Sequence, residues 1–308
     1  MSEQTTVNHD AQATIKTGIL YALGAYVLWG IIPVYFKQLG SVSPMEVLTH
    51  RVIWSVLVLF LLLMFTGGLS RLKTILQQPK VLAALFVTAA IISLNWLIFI
   101  WAVSENRILE TSLGYFINPL VSIFMGMIFL SERLRPAQWL AISLAGAGVA
   151  YQLILHGSLP WVALVLAFSF GFYGLLRKQI PVDAISGLFI ETLMMLPAAL
   201  AYLLWLAQSG TLIFAHQSLQ IDLLLMAAGL ITSIPLLFFA GAARRLSLTL
   251  IGFIQYIAPS ITFLLAVFVY GESLDNGKLT TFALIWLALI VFSLEGFWSQ
   301  KRRVECSA

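Results

Sequence analysis

Ten long apolar stretches run through this chain, and they constrain its fold more than any other feature of the sequence. Each has about 20 residues, the length that a helix needs to cross a hydrocarbon core about 30 Å thick. They are too long and too uniformly apolar for outer-membrane strands, which cross in about 10 alternating residues. The sequence therefore predicts an all-α membrane protein with ten transmembrane helices. The predicted spans are residues 18–37, 46–66, 81–103, 108–130, 137–155, 160–176, 184–207, 222–243, 248–270 and 279–299.

The charge content excludes an ordinary soluble protein. Only 10% of the residues are Asp, Glu, Lys or Arg, and 60% are hydrophobic, whereas soluble domains carry about 25% charged residues. The formal charge of +4 does not indicate nucleic acid, because the cations form no run apart from residues 301–303. The sequence also lacks a P-loop, a zinc-spaced His/Cys cluster and a Gly-x-Ser-x-Gly motif. We therefore expect neither an enzyme nor a metal or cofactor site.

The distribution of Lys and Arg predicts the orientation in the membrane. Cations of short loops are retained on the cytoplasmic side during insertion. A cytoplasmic N-terminus places thirteen of the seventeen cations on that side, so we expect both termini to be cytoplasmic. These thirteen are Lys16, Arg71, Lys73, Lys80, Arg133, Arg135, Arg177, Lys178, Arg244, Arg245, Lys301, Arg302 and Arg303.

The two halves of the sequence resemble each other at an offset of about 140 residues. Pro119 is followed thirteen residues later by Glu132, and Pro259 is followed thirteen later by Glu272. Each copy holds five spans, an odd number, so the second copy enters the membrane in the opposite sense. Such inverted repeats are typical of secondary transporters, and the alternative is a membrane scaffold or sensor that does not transport. The predicted units are a cytoplasmic tail (1–17), two five-helix repeats (18–155 and 160–299) and a second tail (300–308).

Several motifs carry a resemblance to a known family. They include His50-Arg51 in the second span, Leu-Gly-Tyr-Phe-Ile-Asn-Pro at 113–119 in the fourth, and Ala-Ala-Arg-Arg-Leu at 242–246 after the eighth. Through them the chain resembles the EamA family of the drug/metabolite transporter superfamily, and its RarD branch in particular, over nearly its whole length. The resemblance implies a ten-helix permease of the bacterial inner membrane, of the chloramphenicol-resistance or drug-export type. It implies no particular physiological substrate.

Polar residues inside the apolar spans predict a substrate pocket. Tyr115, Asn118 and Ser122 follow one another at spacings of three and four, which places them on one face of the fourth span. A polar face in hydrocarbon turns toward another helix or toward a water-filled cavity, so interhelical contact is the alternative interpretation. Aromatic faces combined with amides suit a small amphipathic substrate, such as a metabolite or a drug. The predicted binding residues are Trp29, Asn95, Trp96, Tyr115, Asn118, Gln255 and Tyr256.

Ionisable residues and prolines within the spans predict coupling groups and hinges. Ionisable groups in the membrane are costly, which makes His50, Arg51 and Glu191 candidates for proton or charge coupling. The offset pairs His50 with Glu191, whereas Arg51 has the alternative of extending to its helix end. Pro119 and Pro259 each remove a backbone donor, so the pair predicts either a symmetric hinge or ordinary kinks.

Two further features concern association with other molecules. The segment 141–150 is rich in Gly, Ala and Ser, which predicts a close helix contact and leaves a homodimer open. The single cysteine, Cys306, has no partner within the chain, so no intramolecular disulfide is expected. The predicted partners are a small-molecule substrate and the lipid bilayer, without nucleic acid.

Overall fold

The chain forms a bundle of twelve α-helices in the computed structural model, which describes residues 2–104, 108–156, 160–269 and 276–305. Across these ranges the backbone forms no strand, and the all-helical prediction is confirmed. The helices are α1 (Ser2–Gln38), α2 (Pro44–Phe65), α3 (Leu69–Leu76), α4 (Pro79–Ser104), α5 (Ile108–Leu130), α6 (Pro136–His156), α7 (Trp161–Gln179), α8 (Ala184–Ser209), α9 (Leu219–Ala243), α10 (Leu248–Gln255), α11 (Ile257–Leu264) and α12 (Asn276–Glu305).

Ten stretches of these helices are long and apolar enough to cross a membrane, which confirms the predicted number of spans. α10 and α11 lie end to end and together make the ninth crossing, Leu248–Val269, which closes with a π-helical turn over Leu265–Val269. α3 has only eight residues, too few to cross, and connects the second and third spans. α1 and α12 extend beyond their spans into the two polar tails.

Local sequence rules place the starts and ends of several spans. Ser43, Asp183 and Ser218 precede α2, α8 and α9, and each side chain accepts a hydrogen bond from a backbone N–H of the first turn. Ser247 caps α10 in the same way. Such caps satisfy N–H groups that have no partner within the helix. Gly210 ends α8 with a φ of 69°, a left-handed conformation in which glycine has no side chain to strain.

Helices from the two sequence halves interleave in the bundle. α1 packs against α9 and α11, and α7 packs against α4 and α5. α2 lies against α8 and α9, while α5 contacts α10 and α6 contacts α12. Because most of these contacts join one half to the other, the interior lies between the halves and is lined by residues far apart in sequence.

The two ends of the bundle differ in charge. Successive spans cross in opposite directions, so alternate loops share an end. Contacts agree with this assignment, because Lys178 Nζ donates to the carbonyls of Ala243 and Leu246 at one end. Ser41 Oγ donates to Gln217 at the other end. The basic end carries residues 66–78, 131–135, 180–183 and 244–247, and the opposite end carries residues 39–43 and 210–218.

The small-residue segment of α6 is used for packing within the chain. Ala141 and Ala145 have no exposed surface. A Cβ added to Gly148 would lie 3.1 Å from the carbonyl oxygen of Thr281 on α12. The predicted close helix contact is therefore confirmed, and its partner is α12. Because this face is occupied, it does not support a homodimer, which stays a prediction.

The two repeat-related prolines lie in unlike surroundings. α5 runs unbroken through Pro119, whereas the ninth crossing is interrupted at Tyr256, three residues before Pro259. A proline removes the N–H that would bond the carbonyl four residues earlier, which is that of Gln255 in the second case. Gly252 permits a close crossing, since a Cβ there would lie 2.7 Å from the carbonyl oxygen of Pro119. The hinge role of both prolines stays a prediction.

Candidate functional site

Three groups of polar side chains lie inside the bundle between the two halves. Each group draws on both halves of the sequence, and one set of aromatic rings connects two of them. We name the groups by their main chemistry. They are the amide cluster (Tyr26, Ser122, Gln255 and Tyr256, with Asn118 one helical turn before Ser122 on α5), the arginine site (Arg51, Trp96 and Thr232) and the ion-pair cluster (Thr88, Tyr173, Arg177 and Glu191).

The amide cluster lies where α5 crosses α10. Gln255 Oε1 accepts hydrogen bonds from the Tyr26 hydroxyl at 3.5 Å and from Ser122 Oγ at 3.4 Å. The neighbouring Tyr256 is fully buried, and its hydroxyl donates to the carbonyl of Phe116 at 3.3 Å. The structure thus brings together α1, α5 and α10 around the predicted residues Gln255 and Tyr256.

The polar stripe of α5 faces the bundle interior over part of its length. Asn118 and Ser122 are both 6% exposed, whereas Tyr115 is 50% exposed. Asn118 Oδ1 is buried and accepts no hydrogen bond from the described part of the chain. A buried acceptor without a donor costs about 1–3 kcal/mol, so an incoming donor would stabilise it. Ser122 makes an interhelical contact, whereas the Asn118 oxygen has no donor in the described part of the chain. The interpretation of this face as the lining of a substrate cavity stays a prediction.

An aromatic wall connects the amide cluster to the ion-pair cluster. The Trp29 ring lies 5.3 Å from Tyr26, 5.6 Å from Phe170 and 5.8 Å from Phe239, measured between centroids. Phe170 in turn lies 6.0 Å from Tyr173. Trp29 and Phe170 are only half-buried, so the wall presents apolar surface beside the amides.

The arginine site lies between α2, α4 and α9. Arg51 Nε donates to Thr232 Oγ1 at 2.9 Å, and its guanidinium carbon lies 4.6 Å from the centroid of the Trp96 ring. Thr232 is near the middle of α9. The guanidinium is therefore directed into the bundle and does not extend to the end of its helix. Trp96, predicted as a binding residue, is the platform on which this cation rests.

His50 lies at the opposite end and belongs to none of the three clusters. Its Nδ1 accepts a hydrogen bond from Trp54 Nε1 at 3.2 Å, and its ring lies 4.6 Å from that of Phe214. One turn earlier, Glu46 Oε1 accepts the backbone N–H groups of Ile213 and Phe214 at 2.9 and 3.0 Å. His50 and Glu191 are thus near opposite ends of the bundle, as their repeat-related positions suggest.

The ion-pair cluster surrounds Glu191, which is 1% exposed. Its Oε1 lies 3.7 Å from Arg177 Nε and accepts a hydrogen bond from Thr88 Oγ1 at 2.5 Å. Its Oε2 accepts from the Tyr173 hydroxyl at 3.3 Å. The carboxylate is therefore held by three partners from α4 and α7, and it is directed away from His50.

Arg177 is a member of the ion-pair cluster that the sequence does not predict as a site residue. It lies in the last turn of α7, at the basic end where the sequence places it. Its side chain is 2% exposed, and its Nη1 donates to no acceptor in the described ranges. One signal was available: a carboxylate as deep in apolar sequence as Glu191 needs a counter-charge. The sequence did not indicate which cation provides it.

Asn95 joins two helices. Its Nδ2 donates to the carbonyl of Leu166 at 3.0 Å and to Ser169 Oγ at 2.8 Å, which ties α4 to α7. Interhelical contact thus accounts for this amide donor. A role in binding substrate stays a prediction.

Replacing Asn95 with Leu should lower stability without abolishing transport. Hydrogen bonds between membrane helices average about 0.6 kcal/mol, so the loss of two should cost about 1 kcal/mol. Unfolding in mixed micelles measures this loss of stability. The double variant Asn95→Leu/Ser169→Ala removes both partners of the bond between Asn95 and Ser169 and serves for comparison. Unchanged stability together with lost uptake would show that Asn95 contacts substrate instead.

Glu132 secures the start of α10 at the basic end. Ser131, with a φ of 53°, ends α5 and turns the chain so that the Glu132 side chain meets α10. Oε1 accepts the N–H of Leu248 at 2.8 Å. Oε2 accepts the N–H and the hydroxyl of Thr249 at 2.9 and 2.7 Å. Glu132 is therefore structural, and the repeat-related Glu272 lies outside the described residues.

Comparisons with known proteins agree on one family. The EamA-like transporter family matches residues 16–153 and 159–294. An uncharacterised transporter of Vibrio cholerae is 53% identical over 285 residues, 92% of this chain and 94% of that protein. Protein RarD of Escherichia coli is 51% identical over 293 residues, 95% of this chain and 99% of that protein. A solved crystal structure aligns with a TM-score of 0.68 over 92% of this chain and 98% of that chain; its 19% identity supports the fold alone.

Proposed function

The chain is a RarD-like member of the EamA-like transporter family, and from this premise we propose that it exports small amphipathic metabolites or drugs by alternating access. Family membership makes it a membrane transporter. The proposed substrate class rests on the amide cluster beside the aromatic wall, where α5 of the first half crosses α10 of the second. An amide oxygen without a donor among the described residues, that of Asn118, beside aromatic faces suits a solute with an apolar body and a few polar groups.

We also propose that residues 18–155 and 160–299 are inverted repeats. The packing pairs support this, because exchanging equivalent helices reproduces them. In the two repeats α1 is equivalent to α7, α4 to α9, and α5 to α10–α11. The contact between α1 and α9 therefore corresponds to that between α7 and α4, and the contact between α5 and α7 corresponds to that between α10–α11 and α1. Two related halves packed in this way can rock about a site between them and open it to either side in turn.

The proposed orientation places the basic end in the cytoplasm of a bacterium, with the protein in the inner membrane. The excess of Lys and Arg at this end supports the orientation. Export then means loading at the basic end and release at the opposite end. The bacterial relatives support the location.

Energy coupling is proposed at Glu191, with His50 as the second candidate. A proton taken up by Glu191 would neutralise the only carboxylate that lies beside Arg177 in the described part of the chain. The unpaired guanidinium would then favour a conformation in which water reaches it. Transport driven by the solute gradient alone is the alternative, and uptake measured with and without a pH gradient separates the two.

Replacing Asn118 or Gln255 with Leu should reduce uptake of chloramphenicol or amino acids into proteoliposomes about tenfold or more, because each loses a hydrogen bond to solute worth about 1.5 kcal/mol. The matched control is Gln152→Leu, which removes an amide between α6 and α12, where Gln152 accepts from Thr281 at 3.1 Å. The control should keep its uptake. If all three folded variants behave like the unmodified protein, the scaffold or sensor interpretation is favoured instead.

A further inference from the structure

Arg51 is a cation inside the bundle that lacks an acidic partner. Its Nε donates to Thr232, and across the described residues no carboxylate lies within 4.0 Å of its guanidinium and no group accepts from Nη1 or Nη2. Arg177, another arginine inside the bundle, has Glu191 at 3.7 Å. An arginine within a membrane span is costly, so one that turns inward without a counter-charge indicates a functional site.

The surroundings of Arg51 leave one edge of the guanidinium free. Trp96 lies against the cation at 4.6 Å and Phe36 at 5.6 Å, both measured to the ring centroid. Aromatic rings contact a guanidinium through its charged plane, while its N–H groups donate within that plane. Thr232 takes the Nε edge, so the two terminal nitrogens remain for another acceptor. The neighbouring charged or titratable groups are the hydroxyls of Tyr35 and Tyr115, and neither is a counter-charge.

A carboxylate fits this free edge best. Two parallel N–H donors match the two oxygens of a carboxylate, and such a pair is stronger than a bond between neutral groups. Tyr115, one of the two neighbouring tyrosines, is half exposed.

The apolar part of such a ligand has a surface to lie on. Phe36 and Trp29 are seven residues apart on α1, which places them on one face and about 10 Å apart. Trp29 belongs to the aromatic wall with Phe170 and Phe239. A compact molecule with a carboxylate at Arg51 would place an aromatic or aliphatic body along this face.

We propose that Arg51 binds the carboxylate of the transported solute, so that the preferred substrates are small monocarboxylates with an apolar body. This inference rests on the proposed transport function and narrows its substrate class. It assigns Arg51 to substrate recognition, a role distinct from the charge coupling expected from the sequence.

Binding of 3-phenylpropionate and of its neutral amide to purified protein tests the inference. The two probes have the same size and differ in the charged group. Arg51→Met should weaken binding of the acid about ten- to a hundredfold and leave the amide within about twofold, as expected for loss of a charge-assisted pair. Arg51→Lys keeps the charge but not the bidentate geometry. Its affinity for the acid should therefore lie between that of the unmodified protein and that of Arg51→Met. If Arg51→Met does not fold, the ratio of the affinities for acid and amide is measured in Arg51→Lys and compared with that of the unmodified protein.

The matched control is Arg245→Met. Arg245 also lies over an aromatic ring, 5.2 Å from the centroid of Tyr21, but its Nη1 donates to the carbonyl of Gly241. This variant should keep the preference for the acid. Equal affinity for acid and amide in the unmodified protein, or an unchanged ratio in the Arg51 variants, would overturn the inference. Neither result contradicts the proposed transport function. That proposal is tested separately by the uptake of neutral chloramphenicol in the Asn118 and Gln255 variants.

Discussion

Replacing Arg177 with Met is expected to destabilise the protein by about 3–5 kcal/mol, the largest effect that the structure predicts for a single substitution. The change leaves the Glu191 carboxylate buried at 1% exposure without its counter-charge. The hydroxyls of Thr88 and Tyr173 still donate to it, but neutral donors do not replace a cation. Thermal unfolding in detergent, followed by light scattering or by loss of the monodisperse peak, measures the change.

The double variant Arg177→Met/Glu191→Met should recover most of the lost stability. It removes both charges, and a buried ion pair replaced by apolar side chains of similar volume is often neutral or stabilising. Transport that depends on a pH gradient should still be lost, because the proposed coupling carboxylate is gone. Stability restored together with intact coupling would exclude Glu191 as the coupling group.

The control for this experiment is the less buried ion pair between Arg135 and Glu295. Its atoms are closer, at 2.6 Å, but its two side chains are 42% and 14% exposed. Exposed pairs contribute about 0–1 kcal/mol, so Arg135→Met should change the stability little. A loss at Arg135 as large as the loss at Arg177 would mean that burial does not determine the effect.

Replacing Glu132 with Ala should cost about 2–4 kcal/mol, because α10 loses the charged acceptor of its first two N–H groups. Leu248 and Thr249 donate to this carboxylate from the opposite sequence half, so the substitution also loosens the contact between α5 and α10. Unfolding in detergent measures the stability. Hydrogen exchange of the Leu248 and Thr249 amides measures the local effect, and both amides should exchange faster.

Two variants calibrate this prediction. Glu132→Gln keeps one carbonyl acceptor and should lose about half as much stability as Glu132→Ala. Thr249→Val removes only the hydroxyl that donates to Oε2 at 2.7 Å, so it should cost about 1 kcal/mol. Unchanged protection of the two amides in Glu132→Ala would show that water or another acceptor satisfies them equally well.

The parts of the candidate site that follow helical periodicity could be predicted from the sequence. Asn118 and Ser122 lie on the interior face because spacings of three and four residues repeat the helical turn. Gln255 and Tyr256, which the sequence predicts as binding residues, lie in the amide cluster. The sequence predicts Asn95 and Trp96 as binding residues within a span, but it does not predict their partners. Asn95 bonds Ser169, which is 74 residues away in sequence.

The sequence by itself determined the ten spans, the capped starts of several helices and the family. Length, hydropathy and helix capping depend on residues close together in the chain, so local sequence is enough to determine them. Only the tertiary structure decided which buried charges are paired. Arg51 meets Thr232 across 181 positions and Thr88 meets Glu191 across 103. No local pattern distinguishes Arg177, which turns inward, from Lys178 beside it. Pairing between helices depends on packing angle and rotation, which arise only when all ten spans are in place.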